Sequence, residues 1–180
     1  MKCYVNMVLN FVVIRVAIIA ALAGLLFGMD IGYVNGSLDF IAQTFHLDIS
    51  QKGHVASILL VGAAMGALIS GFLSKKYGRR KVLLIAAAIF SIFTIVGIFS
   101  PNYETFLASR CVLGIAVGIA SFIAPLYLSE IAPKKFRGAL IALYQLMITI
   151  GLFAVFLTNS ALESTGSWRI MLSVLAIPHT

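Results

Sequence analysis

Two ionisable side chains stand where a lipid-embedded chain usually excludes them: Asp30, inside an apolar run over about 16 to 38, and Arg110, inside another over about 105 to 129. Placing either charge in a bilayer costs about 3 kcal/mol on insertion scales, so neither is there for solubility. A carboxyl in such a position is a candidate proton site. Burial favours its neutral form and a nearby guanidinium favours its ionised form, so an arginine that moves loads and unloads the acid. Two other readings stay open, a static ion pair joining two helices and an aspartate solvated in an outer vestibule. A second polar set is formed by Gln145 and Thr149, four residues apart and therefore on one helical face. An amide there offers donors and an acceptor to a hydroxylated ligand, or bonds to a neighbouring helix.

The elements that position these groups follow from composition. Of 180 residues, 61% are hydrophobic and 11% charged, where a soluble domain carries roughly 25% charge. Too little polar surface remains to face water, which excludes a disordered chain, a disulfide scaffold and an ordinary soluble enzyme. Cys3 and Cys111 lie in a polar tail and an apolar run, so no structural disulfide is expected. No CxxC or histidine cluster suggests a metal. No paired carboxylates, nucleophile with base, or metal ligands meet on one face, and His46 and His54 fall near the outer surface, so an enzyme is not expected. The net charge of +7 reflects membrane topology rather than nucleic acid.

Apolar stretches cover about 16–38, 53–74, 82–100, 105–129 and 138–161, each close to the ~20 residues that one crossing needs. A sixth begins at Trp168 and reaches Thr180 after only about 13 residues. The expected fold is an all-α membrane protein with five full transmembrane helices and the start of a sixth. Connections are expected at Gly36-Ser37, Lys75 to Lys81, Ser100-Pro101-Asn102, Ala132 to Arg137 and Ser164-Thr165-Gly166. They are short, which favours antiparallel neighbours.

Positive charge alternates between the two sides. Lys2 and Arg15 mark the amino-terminal tail, Lys75, Lys76, Arg79, Arg80 and Lys81 the second connection, and Lys134, Lys135 and Arg137 the fourth. The bias of basic residues toward cytoplasmic loops puts these three, and the amino terminus, in the cytoplasm. The remaining connections hold Asp39, Asp48, Glu104 and Glu163 with Lys52, and should face outward. With a first helix ending near Leu38, Asp30 lies about 12 Å below the outer surface, and Arg110 about 7 to 8 Å below it. Pairing of the two is therefore geometrically allowed. Gly24, Gly28, Gly32 and Gly36 share one face of the first helix, as do Gly62 with Gly66 and Gly114 with Gly118 in the second and fourth. Such faces permit close packing, or sliding, of helices.

The stretch Gly71-Phe72-Leu73-Ser74-Lys75-Lys76-Tyr77-Gly78-Arg79-Arg80-Lys81 resembles the loop motif of the major facilitator superfamily, with Lys75 where that family usually has an acid. Arg110-x3-Gly114-x3-Gly118, followed by Pro125-Leu126-Tyr127-Leu128-Ser129-Glu130-Ile131-Ala132-Pro133 and Arg137-Gly138, resembles its sugar porter signature. Phe27-Gly28-Met29-Asp30-Ile31-Gly32, Tyr144 to Gly151 and Trp168-Arg169 match as well, most similarly to bacterial galactose/proton and arabinose/proton symporters.

This resemblance implies a first-helix acid, Asp30, that carries the coupling proton, with Arg110 as its partner and no other cofactor. Proton-independent glucose carriers of the family have a neutral residue at that position. It implies monosaccharide contact by Gln145 and lining by Phe27, with Thr149 on the same face as Gln145; a second glutamine of some relatives is Leu152 here, which leaves hexose and pentose open. It also implies a cytoplasmic charge network of Arg79, Arg80, Glu130 and Arg137 that latches the outward-facing state, partly through a second half.

Family members have twelve helices in two halves with the substrate between them. Residues 1–180 are therefore expected to be an amino-terminal half-domain truncated within its sixth helix, lacking its carboxy-terminal half, in the inner membrane. A non-transporting remnant, a membrane interaction partner and an assembly of half-transporters remain the other readings.

Overall fold

The computed structural model describes residues 2–134 and 136–162. The expected sixth stretch from Trp168, the connection Ser164-Thr165-Gly166, and Lys135, Glu163, Arg169, His179 and Thr180 lie outside the described residues. Among the described residues five helices follow one another: α1 (Lys2–Phe45), α2 (Ile49–Tyr77), α3 (Arg79–Ile98), α4 (Tyr103–Ile131) and α5 (Arg137–Leu162). Helices α2 to α5 are each long and apolar enough to cross a membrane, and α1 contains the apolar run that holds Asp30.

The described part of α1 departs from expectation at both ends. It starts at Lys2, so the amino-terminal segment with Lys2 and Arg15 is helix and not a tail. No glycine or proline precedes Gly24 to interrupt it. It also passes through Gly36-Ser37, where a stop was expected. There Gly36 lies against the Asn159 side chain of α5, and the Ser37 hydroxyl donates to the Tyr33 carbonyl at 2.7 Å, so both residues are held within the helix. The helix ends at Phe45 and is followed by His46, whose φ of 51° is left-handed, with Leu47 N–H donating to the Ala42 carbonyl at 2.9 Å.

The other joints are short. Asp48 caps α2, accepting from Ile49 N–H at 2.8 Å while its own N–H donates to Gln51 Oε1 at 3.0 Å. The second connection shrinks from Lys75–Lys81 to one residue: Gly78, at φ 81°, separates α2 from α3. That backbone conformation suits a residue with no Cβ. Lys75 and Lys76 complete α2, and Arg79 opens α3. Ser100-Pro101-Asn102 and Ala132 to Arg137 break the helices where expected, residue 135 being outside the described set.

Short connections suggested packing between sequence neighbours, which holds for α3 and α4, but the two closest pairs join helices distant in sequence. Helix α1 packs mainly on α5, α2 on α4, and α3 on α4. Gly24, Gly28, Gly32 and Gly36 meet Tyr144, Ile148, Leu152 and Asn159 in ascending order, so α1 and α5 run parallel. Gly62 meets Cys111 and Gly114, and Gly66 meets Ile115, which makes α2 and α4 a second parallel pair. A Cβ at Gly28 would overlap the Ile148 carbonyl, and one at Gly118 the Ala63 carbonyl. Backbone contact through small residues, not loop length, selects these partners. The outer faces carry exposed Leu60, Leu68, Phe72, Leu84, Phe153 and Leu157, as a bilayer-facing surface requires.

Candidate functional site

Asp30 and Arg110 meet. Arg110 Nη1 donates to Asp30 Oδ1 at 2.8 Å, across the boundary between the α1–α5 pair and the α2–α4 pair. With α1 ending at Phe45 instead of near Leu38, Asp30 is about 22 Å along the helix from that end. The side chains nevertheless lie at one level. Asp30 is 1% exposed and Arg110 0%, which rules out the solvated aspartate for this conformation.

The pair is incompletely satisfied. Among the described residues, Asp30 Oδ2 and Arg110 Nε and Nη2 have no hydrogen-bond partner. Buried groups left so are costly, and of the two carboxyl oxygens only Oδ1 is engaged among the described residues. Two aromatic rings complete the surroundings: the Arg110 guanidinium carbon is 5.0 Å from the Tyr33 ring centre and 5.2 Å from that of Phe106. Both contacts fall within cation–π range. Sequence reasoning missed these two residues. The available signal was their spacing, Tyr33 three residues after Asp30 and Phe106 four before Arg110, which places each on its partner's helical face.

The remaining candidates separate by location. Gln145 and Thr149 are both exposed on α5, and the Thr149 hydroxyl donates to the Gln145 carbonyl at 3.1 Å. Among the described residues the Gln145 amide makes no bond to a neighbouring helix. Phe27 is half-buried against Phe90, Leu113, Ala116 and Val117. At the Gly78 end, Arg79 Nη2 and Glu130 Oε1 are 2.7 Å apart, tying the start of α3 to the end of α4. Arg80 and Arg137 are exposed and, among the described residues, unpaired. At the opposite end Lys52 Nζ and Asp39 Oδ1 pair at 2.9 Å between α2 and α1, an ion pair not foreseen from sequence.

Membrane-length helices in close parallel pairs, with a buried charge pair between them, define a polytopic α-helical membrane protein. The family described as Sugar (and other) transporter matches residues 16–180. The chain is 51% identical over 163 residues to the galactose-proton symporter of Escherichia coli strain K12, covering 91% of this chain and 35% of the relative. It is 48% identical over 163 residues to the arabinose-proton symporter of the same strain, with 91% and 34% covered. Among solved structures it resembles the proton:xylose symporter of the major facilitator superfamily bound to 6-bromo-6-deoxy-D-glucose, with a TM-score of 0.84 at 27% identity, covering 93% of this chain and 42% of that one. The chain belongs to the sugar transporter family, within the major facilitator superfamily. It spans about a third of the length of the curated relatives it matches.

Proposed function

We propose that this chain supplies the amino-terminal helices of a sugar/proton symporter of the cell's inner membrane, with its amino terminus and Gly78 end in the cytoplasm. The observation that carries the reading is the buried Asp30–Arg110 contact between two separately packed helix pairs. A proton arriving at Oδ2, which accepts no hydrogen bond among the described residues, neutralises the carboxylate and weakens its hold on Nη1. With that ionic tie weakened, a shift of the α1–α5 pair against the α2–α4 pair costs less. Coupling follows because the charge state and the relative position of the pairs change together. The proton is the coupling ion, and no resident cofactor takes part.

Support for the substrate class comes from the relatives, whose names specify galactose, arabinose and xylose. Gln145, Thr149 and Phe27 are assigned to a monosaccharide bound against the carboxy-terminal half, which is the chain's partner along with the bilayer. Arg79, Arg80, Glu130 and Arg137 form the cytoplasmic latch, its Arg79–Glu130 contact lying within the present helices. The orientation rests on the basic residues around Gly78 and Pro133. The function is transport, and no catalytic residue is assigned.

The test is uptake into proteoliposomes by the chain together with its carboxy-terminal half, and by the chain alone. Galactose, arabinose or xylose should drive proton entry in the complete transporter. Asp30→Asn should abolish accumulation against a gradient and leave sugar exchange intact. Unchanged accumulation in that variant would remove the proton role. Sugar flux without proton movement in the parent would make the protein a proton-independent carrier. Transport by the chain alone would establish an assembly of half-transporters, and no transport in any arrangement would make it a remnant or an interaction partner.

A further inference from the structure

We propose that Tyr33 and Phe106 are positioning residues that hold the Arg110 guanidinium at its site while Asp30 is neutral. The inference rests on the reading that Asp30 takes up a proton. A guanidinium has five N–H donors, yet among the described residues Arg110 Nε and Nη2 have no hydrogen-bond partner, and Nη1 donates to the carboxylate that protonation would neutralise. With no other support, the arginine would then be a buried, unpaired cation, the state that makes breaking a buried pair so unfavourable. The two rings provide that support without depending on the charge of Asp30. Their centres lie 5.0 and 5.2 Å from the guanidinium carbon, in a site from which water is excluded and where cation–π attraction is strongest.

The rings are themselves fixed. Tyr33 and Phe106 are both fully buried and belong to one apolar cluster with Met29, Ile41 and Val55. Phe106 also packs on the Phe45 ring, with centres 6.3 Å apart. One ring comes from α1 and the other from α4, so the arginine is gripped by both helix pairs. A carboxyl that loses its proton then finds the guanidinium still in place to receive it.

The experiment is NMR of the full chain in lipid nanodiscs with 15N-labelled arginine, assigning the Arg110 Nε–H resonance by its loss in Arg110→Lys. Ring currents should shift that resonance upfield from the other arginines. In Asp30→Asn, which imitates the neutral acid, the upfield shift should persist. Tyr33→Leu and Phe106→Leu should each reduce it, and Tyr33→Phe should retain it. An Asp30→Asn resonance that moves to the unshifted position would overturn the proposal, as would leucine variants whose Arg110 signal stays where it is in the parent. The comparison of Asp30→Asn with the parent needs neither aromatic variant to fold. Failure of the proton reading would appear separately, as retained sugar accumulation in Asp30→Asn.

Discussion

Arg110 Nη1 and Asp30 Oδ1 are 2.8 Å apart, and this buried contact crosses between two helix pairs that are each closed by glycine packing. Its removal from one side should be far more harmful than its removal from both. Arg110→Leu strands a buried carboxylate and is expected to cost about 3 to 5 kcal/mol. The double variant Asp30→Leu with Arg110→Leu should recover most of that loss, because no isolated charge remains. Denaturant unfolding in detergent measures both. A double variant no more stable than Arg110→Leu would show that the charges do not act as a unit.

The glycine faces predict opposite outcomes for one substitution. Gly28→Ala forces a methyl into the Ile148 carbonyl, so α1 and α5 must separate, with an expected loss of about 1 to 3 kcal/mol. Gly71→Ala, inside α2 with nothing near its added Cβ, should instead stabilise the helix by about 0.5 to 1 kcal/mol. Melting of the two variants beside the parent decides the matter. Equal effects would mean that helix propensity, not close approach, sets the role of these glycines.

Much of this arrangement was legible in the sequence because lipid imposes few solutions. Apolar runs of crossing length had to be helices, and Asp30 and Arg110 were conspicuous because nothing else charged lies so deep within them. The glycine spacing gave the faces but not their partners, since which helix meets Gly28 depends on how whole helices pack. Gly36-Ser37 misled for a related reason: glycine marks a stop in water, whereas here Asn159 packs on it and the helix continues. Tyr33 and Phe106 were hidden among other aromatics, because an aromatic in an apolar run carries no sign of the cation it faces.

At the Gly78 end, Arg79 and Glu130 pair at 2.7 Å with side chains 31% and 46% exposed. A half-solvated pair of this kind contributes at most about 1 kcal/mol and is screened by salt. Glu130→Gln should therefore lower stability slightly in dilute buffer, and the difference should shrink in molar salt. If the pair instead serves the proposed latch, the same variant should alter transport much more than stability. Unfolding and uptake measured on one preparation distinguish the two contributions.

The turn between α1 and α2 offers a pair of local tests. Asp48→Ala removes the acceptor for Ile49 N–H and should cost about 1 kcal/mol. His46→Gly relieves a left-handed backbone of its side chain and should be stabilising, by about 1 kcal/mol. Thermal unfolding of the single variants checks each sign. Destabilisation by His46→Gly would indicate that the histidine side chain does more there than occupy a strained position.

Gln145 provides the sharpest separation of fold from function. Its side chain is exposed on α5 and, among the described residues, bonds to no other helix, so Gln145→Ala should insert and fold as the parent does. A sugar hydroxyl that loses one or two hydrogen bonds, each contributing about 0.5 to 1.5 kcal/mol, should bind roughly tenfold more weakly. Thr149→Val is expected to matter less, because that hydroxyl already donates to the Gln145 carbonyl at 3.1 Å. Equilibrium binding of radiolabelled galactose, arabinose and xylose to the complete transporter reads both variants. An unchanged Kd for Gln145→Ala with all three sugars would take α5 out of the binding site and leave recognition to other helices.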